Sequence, residues 1–497
     1  MVRKRLALLL VVQWIILLTV CAFAETGIAE ADAEPSVGNF MITTGIGFTV
    51  ALKHDGTVWS WGANHSGQLG DGTNINRVTP NQVASLSQVM SIASGSAHTL
   101  ALKSDGTVWA WGDNQYGQIG DGTTDERNVP VQVPILSDVV AIDAGYAHNI
   151  ALKDDGTVWV WGRNNLGQLG NGTTDSSSIP IMVDGLSGVK AIAAGYDFSV
   201  AVKEDGTLWG WGVNYYNQLG ISADLIQLTP VQIFGITMQE GDMIVAGNRA
   251  VFLLKADGTV WGWGHGLGDG IYKEYPPRQI HTLSNVAAIS STAASVLVLL
   301  SDGTVLAFGE NSKGQLGIGN TESQTSPRRI DQLRDIVAIE AGYEHSFAIQ
   351  SDGTLWAWGS NSLGQYGDNT KSSSNSPVQS SFKFAASDAT LSELSLSEGE
   401  LSPEFDPKTF EYTAAVDHDI ESVTITASPT HPKAEVTSGT GTFNLDVGEN
   451  EFKVEVKAEN GRKATYVITV TRAPSSNAEL ADLEVSPGSL TPAFSSD

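Results

Sequence analysis

Three histidines, His98, His148 and His345, each stand seven residues ahead of an Asp-Gly-Thr triplet, and recurrent imidazoles could build a metal centre. A metal needs three or four ligands converging on one point. These three fall in separate repeats, and Phe48, Phe198, Ala250 and Ser295 take the same place elsewhere, so no metal ligand is assigned. Asp71, Asp121 and Asn171 sit in Gly-rich turns without the alternating acids of a calcium loop. Asp406, Asp417 and Asp419 raise calcium again; their spacing does not match either, and calcium stands there as the lesser alternative. Twelve of the thirteen Trp lie in W-x-W motifs. Exposed, they could stack on sugars; their regular place in each repeat points instead to a packed interior.

No G-x-S-x-G, H-E-x-x-H or phosphate-cradling Gly loop is present, so no catalytic or cofactor-binding residue is assigned and the chain is not expected to be an enzyme. Partner binding is expected where the repeat breaks. "NYYNQLGISADLIQL" brings in Tyr215 and Tyr216, and the shortened "HGLGDGIYKEYPPR" brings in Tyr272, Tyr275 and Arg278. Tyr and Arg in loops are favoured at binding hot spots.

The elements that must hold these residues follow from periodicity. Asp-Gly-Thr recurs with Asp at 55, 105, 155, 205, 257, 302 and 352, seven copies in a chain of 497 residues. Periods near 50 residues indicate propellers or solenoids. In "HNIALKDDGTVWVWG" (His148 to Gly162), Asp155-Gly156 is expected to form a two-residue type I′ turn. That turn would set Leu152 opposite Trp159 and Ile150 opposite Trp161, with large residues on one face of the hairpin. Copies two, three and four carry V-x-x-I-x-x-G before the hairpin, as in Val139 to Gly145, and the later copies carry variants of it. The last copy stops near Phe384, so Asn39 to Gly45 is expected to lend the missing strand of the last blade and close the ring.

Residues 38–385 are thus read as a seven-bladed β-propeller in an all-β chain. "ALKSDGTVWAWGDNQYGQIGDGT" followed by "VVAIDAGYAH" resembles the repeat of the regulator of chromosome condensation family. The resemblance implies blades of four strands. It leaves the activity open, since relatives include a guanine-nucleotide exchange factor, plant photoreceptors and secreted inhibitors of β-lactamase.

After Ser387 the pattern changes to short alternating stretches, "ESVTITA" and "FKVEVKA", and Asn460-Gly461 turns the chain into "KATYVITVTR". Residues 388–473 are read as a β-sandwich, and their opening resembles bacterial cadherin-like modules. Residues 474–497 hold a linker and a copy of that opening, read as a truncated second sandwich.

At the other end, Arg3 to Arg5, an apolar stretch to Val20 and Ala22-Phe23-Ala24 predict a cleaved signal peptide over residues 1–24 and a linker over 25–37. The only cysteine, Cys21, lies inside it, leaving no thiol for a disulfide. The formal net charge of −27 disfavours nucleic acid and anionic lipid. These features predict a secreted or cell-surface bacterial protein that spans no membrane and binds a protein or cell-wall polysaccharide. A secreted inhibitor of an extracellular enzyme is the alternative, and nucleotide exchange on a GTPase is disfavoured by export and charge.

Overall fold

The computed structural model describes residues 41–221, 224–269, 275–292 and 295–475, and nothing of the Tyr275 side chain. The expected signal peptide, the 25–37 linker, Tyr272 and residues 476–497 lie outside the described residues. Two compact units divide between Ala385 and Ala386.

The first unit is seven antiparallel sheets of four consecutive strands each, spanning 41–82, 89–132, 139–182, 189–233, 243–279, 286–329 and 336–383. Blade three shows the pattern: Val139–Ala144 innermost, then His148–Lys153, Val158–Gly162 and Ser177–Met182 outermost. Valine, alanine, leucine, isoleucine and tryptophan make up most of the buried strands, as expected of a surface covered on both faces. Among the described residues there is no helix, hence none able to cross a membrane.

The hairpins differ from the expected turn by one residue. Gly156 N–H donates to Lys153 O (3.0 Å) and Lys153 N–H to Thr157 O (3.0 Å), so the loop has three residues, Asp154 to Gly156. Of these only Gly156 has positive φ, at 77°. A type I turn closed by a left-handed Gly explains this, because Asp need not enter the strained region. Asp155 does other work: its Oδ1 accepts from Thr157 N–H (2.9 Å) and Oγ1 (2.6 Å), and Thr157 Oγ1 accepts from Trp159 Nε1 (3.2 Å). The bonds from Thr157 hold the Asp155 carboxyl below its usual range.

That one-residue slip moves every side chain to the other face. Leu152 pairs with Val158, Ile150 with Val160, Ala151 with Trp159 and Asn149 with Trp161. Both tryptophans therefore oppose small or polar residues, while the aliphatic pairs fill the opposite face. Trp61, Trp111, Trp161, Trp211, Trp263 and Trp358 are completely buried, whereas Trp59 and its counterparts are partly exposed.

Ring closure also departs from expectation. Met41–Thr44 pairs within the first blade, and Ile336–Ala341 supplies the last blade's own inner strand. Among the described residues no strand is shared between blades. The strand that this V-x-x-I-x-x-G stretch forms, or its counterpart, opens each blade rather than ending the one before, so seven copies give seven complete sheets. Closure is by faces: Trp61, Phe347, Tyr366 and Phe382 share one apolar cluster. Across the same seam Trp61 Nε1 donates to Gln365 O (2.7 Å).

The second unit packs a three-stranded sheet against a four-stranded one. Val423, Ile425, Val454, Tyr466 and Ile468 lie in its core. Tyr466 is fixed by donating to Pro407 O (2.7 Å) and accepting from Leu391 N–H (3.0 Å).

Candidate binding face and central channel

Within each blade the loop between strands one and two and the loop between strands three and four emerge on one face; the Asp-Gly-Thr turns occupy the other. The loop face is held by a repeated set of bonds between blades. Gln118 O accepts from Trp161 Nε1 (3.0 Å) and Asn149 Nδ2 (2.7 Å). Gln68 O accepts from Trp111 and Thr99, Gln168 O from Trp211 and Ser199, and Gln315 O from Trp358 and Ser346. Gly70 (φ 67°) lies so close to Trp111 that a Cβ would stand 2.8 Å from its Nε1. The pattern lapses around blade five: Trp263 Nε1 has no partner, and the next blade carries Phe308 instead of Trp.

The loops are shaped from within by a buried asparagine. Asn164 Oδ1 accepts from Leu169 N–H (2.9 Å), and Nδ2 donates to Thr173 O (3.0 Å) and Asp175 O (3.0 Å). Asn164→Ala leaves these backbone groups unpaired, and a loss of about 2 kcal/mol is expected. A chemical-denaturation midpoint unchanged from wild type would rule this role out.

The three histidines lie buried between blades rather than around one point. His98 Nε2 lies 2.7 Å from Asn149 Oδ1, His148 Nε2 3.1 Å from Ser199 Oγ, and His345 Nε2 3.3 Å from Thr49 Oγ1. Burial holds all three below the usual imidazole range, His148 and His345 at about 3. Asp71 and Asp121 are taken up by Arg77 (2.8 Å) and Arg127 (2.6 Å). Among the described residues no three His, Cys, Asp or Glu side chains gather, Asp406, Asp417 and Asp419 included.

Of the residues expected to bind a partner, Tyr215 is 45% exposed on the loop face. Tyr216 lies under the Arg249 guanidinium (4.5 Å to the ring centroid) and 5.7 Å from the His265 ring. Arg278 is ion-paired to Asp269, in the manner of Arg77 with Asp71. Tyr275 opens an outer strand.

A second cluster on this face escaped the sequence reading. Arg163 lies over Tyr116 (5.5 Å) and Tyr146 (5.9 Å) and 3.6 Å from Asp197. Gln168 Nε2 donates to Asp197 Oδ1 (3.1 Å). Burial raises the Asp197 carboxyl to about 6 despite the opposing pull of Arg163 and Gln168. The Tyr146 and Tyr196 rings lie 4.5 Å apart, and Tyr343, from the last blade, lies 6.2 Å from Tyr196. These tyrosines stand at one mouth of the central channel, where backbone bonds link neighbouring loops: Ser96 N–H to Tyr146 O (2.9 Å) and Tyr146 N–H to Tyr196 O (2.9 Å). The available signal was Tyr after Ala-Gly in three copies. Only the closed ring makes them meet.

The seven inner strands line the channel. Asp143 and Glu340 occupy equivalent positions in blades three and seven and both face it. Asp143 accepts from Ala144 N–H (2.8 Å) and from Ala194 N–H of the next blade (2.8 Å). Glu340 Oε2 accepts from Ser290 Oγ (3.1 Å). Protein surrounds both, though each keeps some surface open to the channel. Burial raises Asp143 to about 6 against those two amide bonds; it raises Glu340 to about 8, Ser290 opposing and the Asp143 charge adding to the rise.

This arrangement, a closed ring of seven sheets whose tryptophans hang from loop carbonyls of the neighbouring blade, defines a class of propeller. The RCC1-like domain profile matches residues 137–398, and RCC1 repeats match 55–102, 105–152 and 89–118. The chain belongs to the RCC1-like domain family, with a cadherin-like β-sandwich domain over 391–473. Human and mouse Protein RCC2 are 38% identical over 86 residues. That match covers 16% of this chain and 16% of the length of those curated relatives. Among solved structures, human WBSCR16 is 25% identical with a TM-score of 0.56, covering 66% of this chain and 94% of its own. Prp20p from Saccharomyces cerevisiae, whose structure is described with its binding to Gsp1p and histones, is 23% identical with a TM-score of 0.59. It covers 69% of this chain and 90% of its own; at that identity the likeness concerns the fold alone.

Proposed function

We propose that the chain is a non-enzymatic interaction protein, exported by a bacterium, whose propeller holds a protein partner on its loop face while the sandwich serves as a spacer. The observation that carries this reading is the pair of arginine–tyrosine clusters, Arg163 with Tyr116 and Tyr146, and Arg249 with Tyr216. Both stand in loops that the ring does not need in that form, since Asp113 and Val213 replace Arg163 in neighbouring copies. A pre-stacked guanidinium loses little freedom on binding, which suits it to anchor a partner. The signal-like residues 1–24 and the absence of mature thiols support export, and the charge of −27 favours a partner with a basic face. Prp20p is a propeller of this fold described as binding proteins, which favours a protein over a polysaccharide.

The test is capture from bacterial envelope and culture-medium fractions by the full chain and by Arg163→Ala and Arg249→Ala variants. One partner retained by the wild type and weakened at least tenfold by either variant is expected, hot-spot truncations costing about 2 kcal/mol or more. Equal capture by all three chains sinks the proposal, and capture of wall polysaccharide alone replaces the protein partner with a glycan.

A further inference from the structure

We infer that the central channel is a binding site for an alkylammonium cation, held between the carboxyl groups of Asp143 and Glu340 beneath the rings of Tyr146, Tyr196 and Tyr343. The rest of the channel wall is uncharged, a mixture of isoleucine, alanine and hydroxyl residues. Among the described residues lining it, Asp143 and Glu340 are the acids, and no Lys, Arg or His joins them. Arg163 is not among the lining residues; its guanidinium lies 5.9 Å from the Tyr146 ring and its charge is paired with Asp197.

The fold does not require this charge. The other blades place Thr43, Ala93, Ala193, Val245 and Ser290 at the same position. Where Asp143 accepts the Ala194 N–H of the next blade, Ser290 Oγ accepts the equivalent Ala341 N–H (2.9 Å) without any charge. Glu340 reaches the channel with a single bond from Ser290. Two carboxyl groups with no cation in a narrow channel are costly to ionise. A cation entering would relieve that cost. On the same wall, the buried hydroxyls of Thr44 and Ser94 have no hydrogen-bond partner.

The chemistry of the donors selects the ligand. Two carboxyl groups fall short of the six to eight oxygens that calcium takes. A primary ammonium offers three N–H donors and one positive charge, which two carboxyl groups and a hydroxyl can meet. Its alkyl stem would pass the tyrosine rings, whose faces attract cations. Such a group arrives either on a free amine or on the lysine of a bound protein.

Titration calorimetry of the full chain with n-butylammonium, with the peptide Gly-Lys-Gly acetylated at its N-terminus and amidated at its C-terminus, and with n-butanol tests the assignment independently of any partner. Binding of an ammonium probe and not of the alcohol is expected, weakened at least tenfold in Glu340→Gln. The ionisable groups around the site are Asp143, Glu340, Asp197, Arg163 and the three tyrosines, and burial has raised Glu340 most among the acids. Binding near pH 7 is therefore expected to release a proton from Glu340, so the wild-type heat varies with the buffer's ionisation enthalpy. That measurement stands even where Glu340→Gln fails to fold. Binding of the peptide assigns the site to a lysine of a partner; binding of n-butylammonium with the peptide excluded assigns it to a free amine. No binding of either probe, equal binding of n-butanol, or heats independent of buffer overturns the inference.

Discussion

Trp61→Ala is expected to destabilise the propeller by about 3–5 kcal/mol, the range for deleting a fully buried large aromatic. Trp61 is completely buried at the seam where the first blade meets the last. Its ring lies 5.2 Å from that of Phe382, and its Nε1 donates to Gln365 O. Alanine there opens a cavity and orphans part of a buried carbonyl's bonding, although Thr49 Oγ1 still donates to Gln365 O (2.9 Å). Trp61→Phe keeps one aromatic ring but removes the rest of the indole with its N–H, and a smaller loss of about 2 kcal/mol is expected. Trp59→Ala provides the contrast. Trp59 is partly exposed, with Lys53 Nζ 4.4 Å above its ring, so its loss should be well under half as large. Denaturant midpoints decide the matter. A Trp59→Ala midpoint as low as that of Trp61→Ala would show that closure does not rest on the inner tryptophan.

Between pH 7 and pH 5 the propeller is expected to lose about 2 kcal/mol for each buried histidine that stays neutral in the fold. His148 and His345 are held at about 3 by burial, with His98 lowered in the same sense. An unfolded chain takes up protons at these imidazoles below about pH 6.5, where the folded chain does not. The stability they lend is complete above the unfolded value and falls away with acid. His148→Phe should remove about 2 kcal/mol of the loss, because Phe48 and Phe198 already fill the equivalent place as buried rings. Asp143 and Glu340 act in the opposite direction. Their folded values are raised, so their contribution is whole below about pH 4 and declines as pH rises through about 6 and about 8. The partial exposure of both groups tempers that second effect, and Glu340→Gln should flatten it. Thermal midpoints across pH 4–9 report both limbs; an acid limb unaltered in His148→Phe contradicts the first.

Two particular residues mark where the local sequence stops deciding the fold. Asp155-Gly156 marks a hairpin in any reading, yet the number of residues in its loop depends on whether Asp155 accepts a positive φ or serves as an acceptor for Thr157. The sequence is the same in both cases. In the folded chain Asp155 accepts from Thr157 and Trp161 is completely buried, and the pairing lies one residue away from expectation. Closure shows the same limit. A repeat can be cut into blades at any phase, and only the pairing of Met41–Thr44 with its own hairpin fixes where each blade begins.

Local and repetitive matters were therefore settled by the chain alone: the count of seven, the strand character and the change of architecture after residue 387; which Trp of each W-x-W is buried was not. Each rests on residues near one another in sequence, repeated often enough to outweigh noise. The tertiary structure alone decided which side chains meet across the ring. Tyr196 and Tyr343, or Asp143 and Glu340, lie well over a hundred residues apart and share nothing but a position in the repeat. They come together because closing a circle brings every inner strand to one axis, and no local preference encodes that convergence.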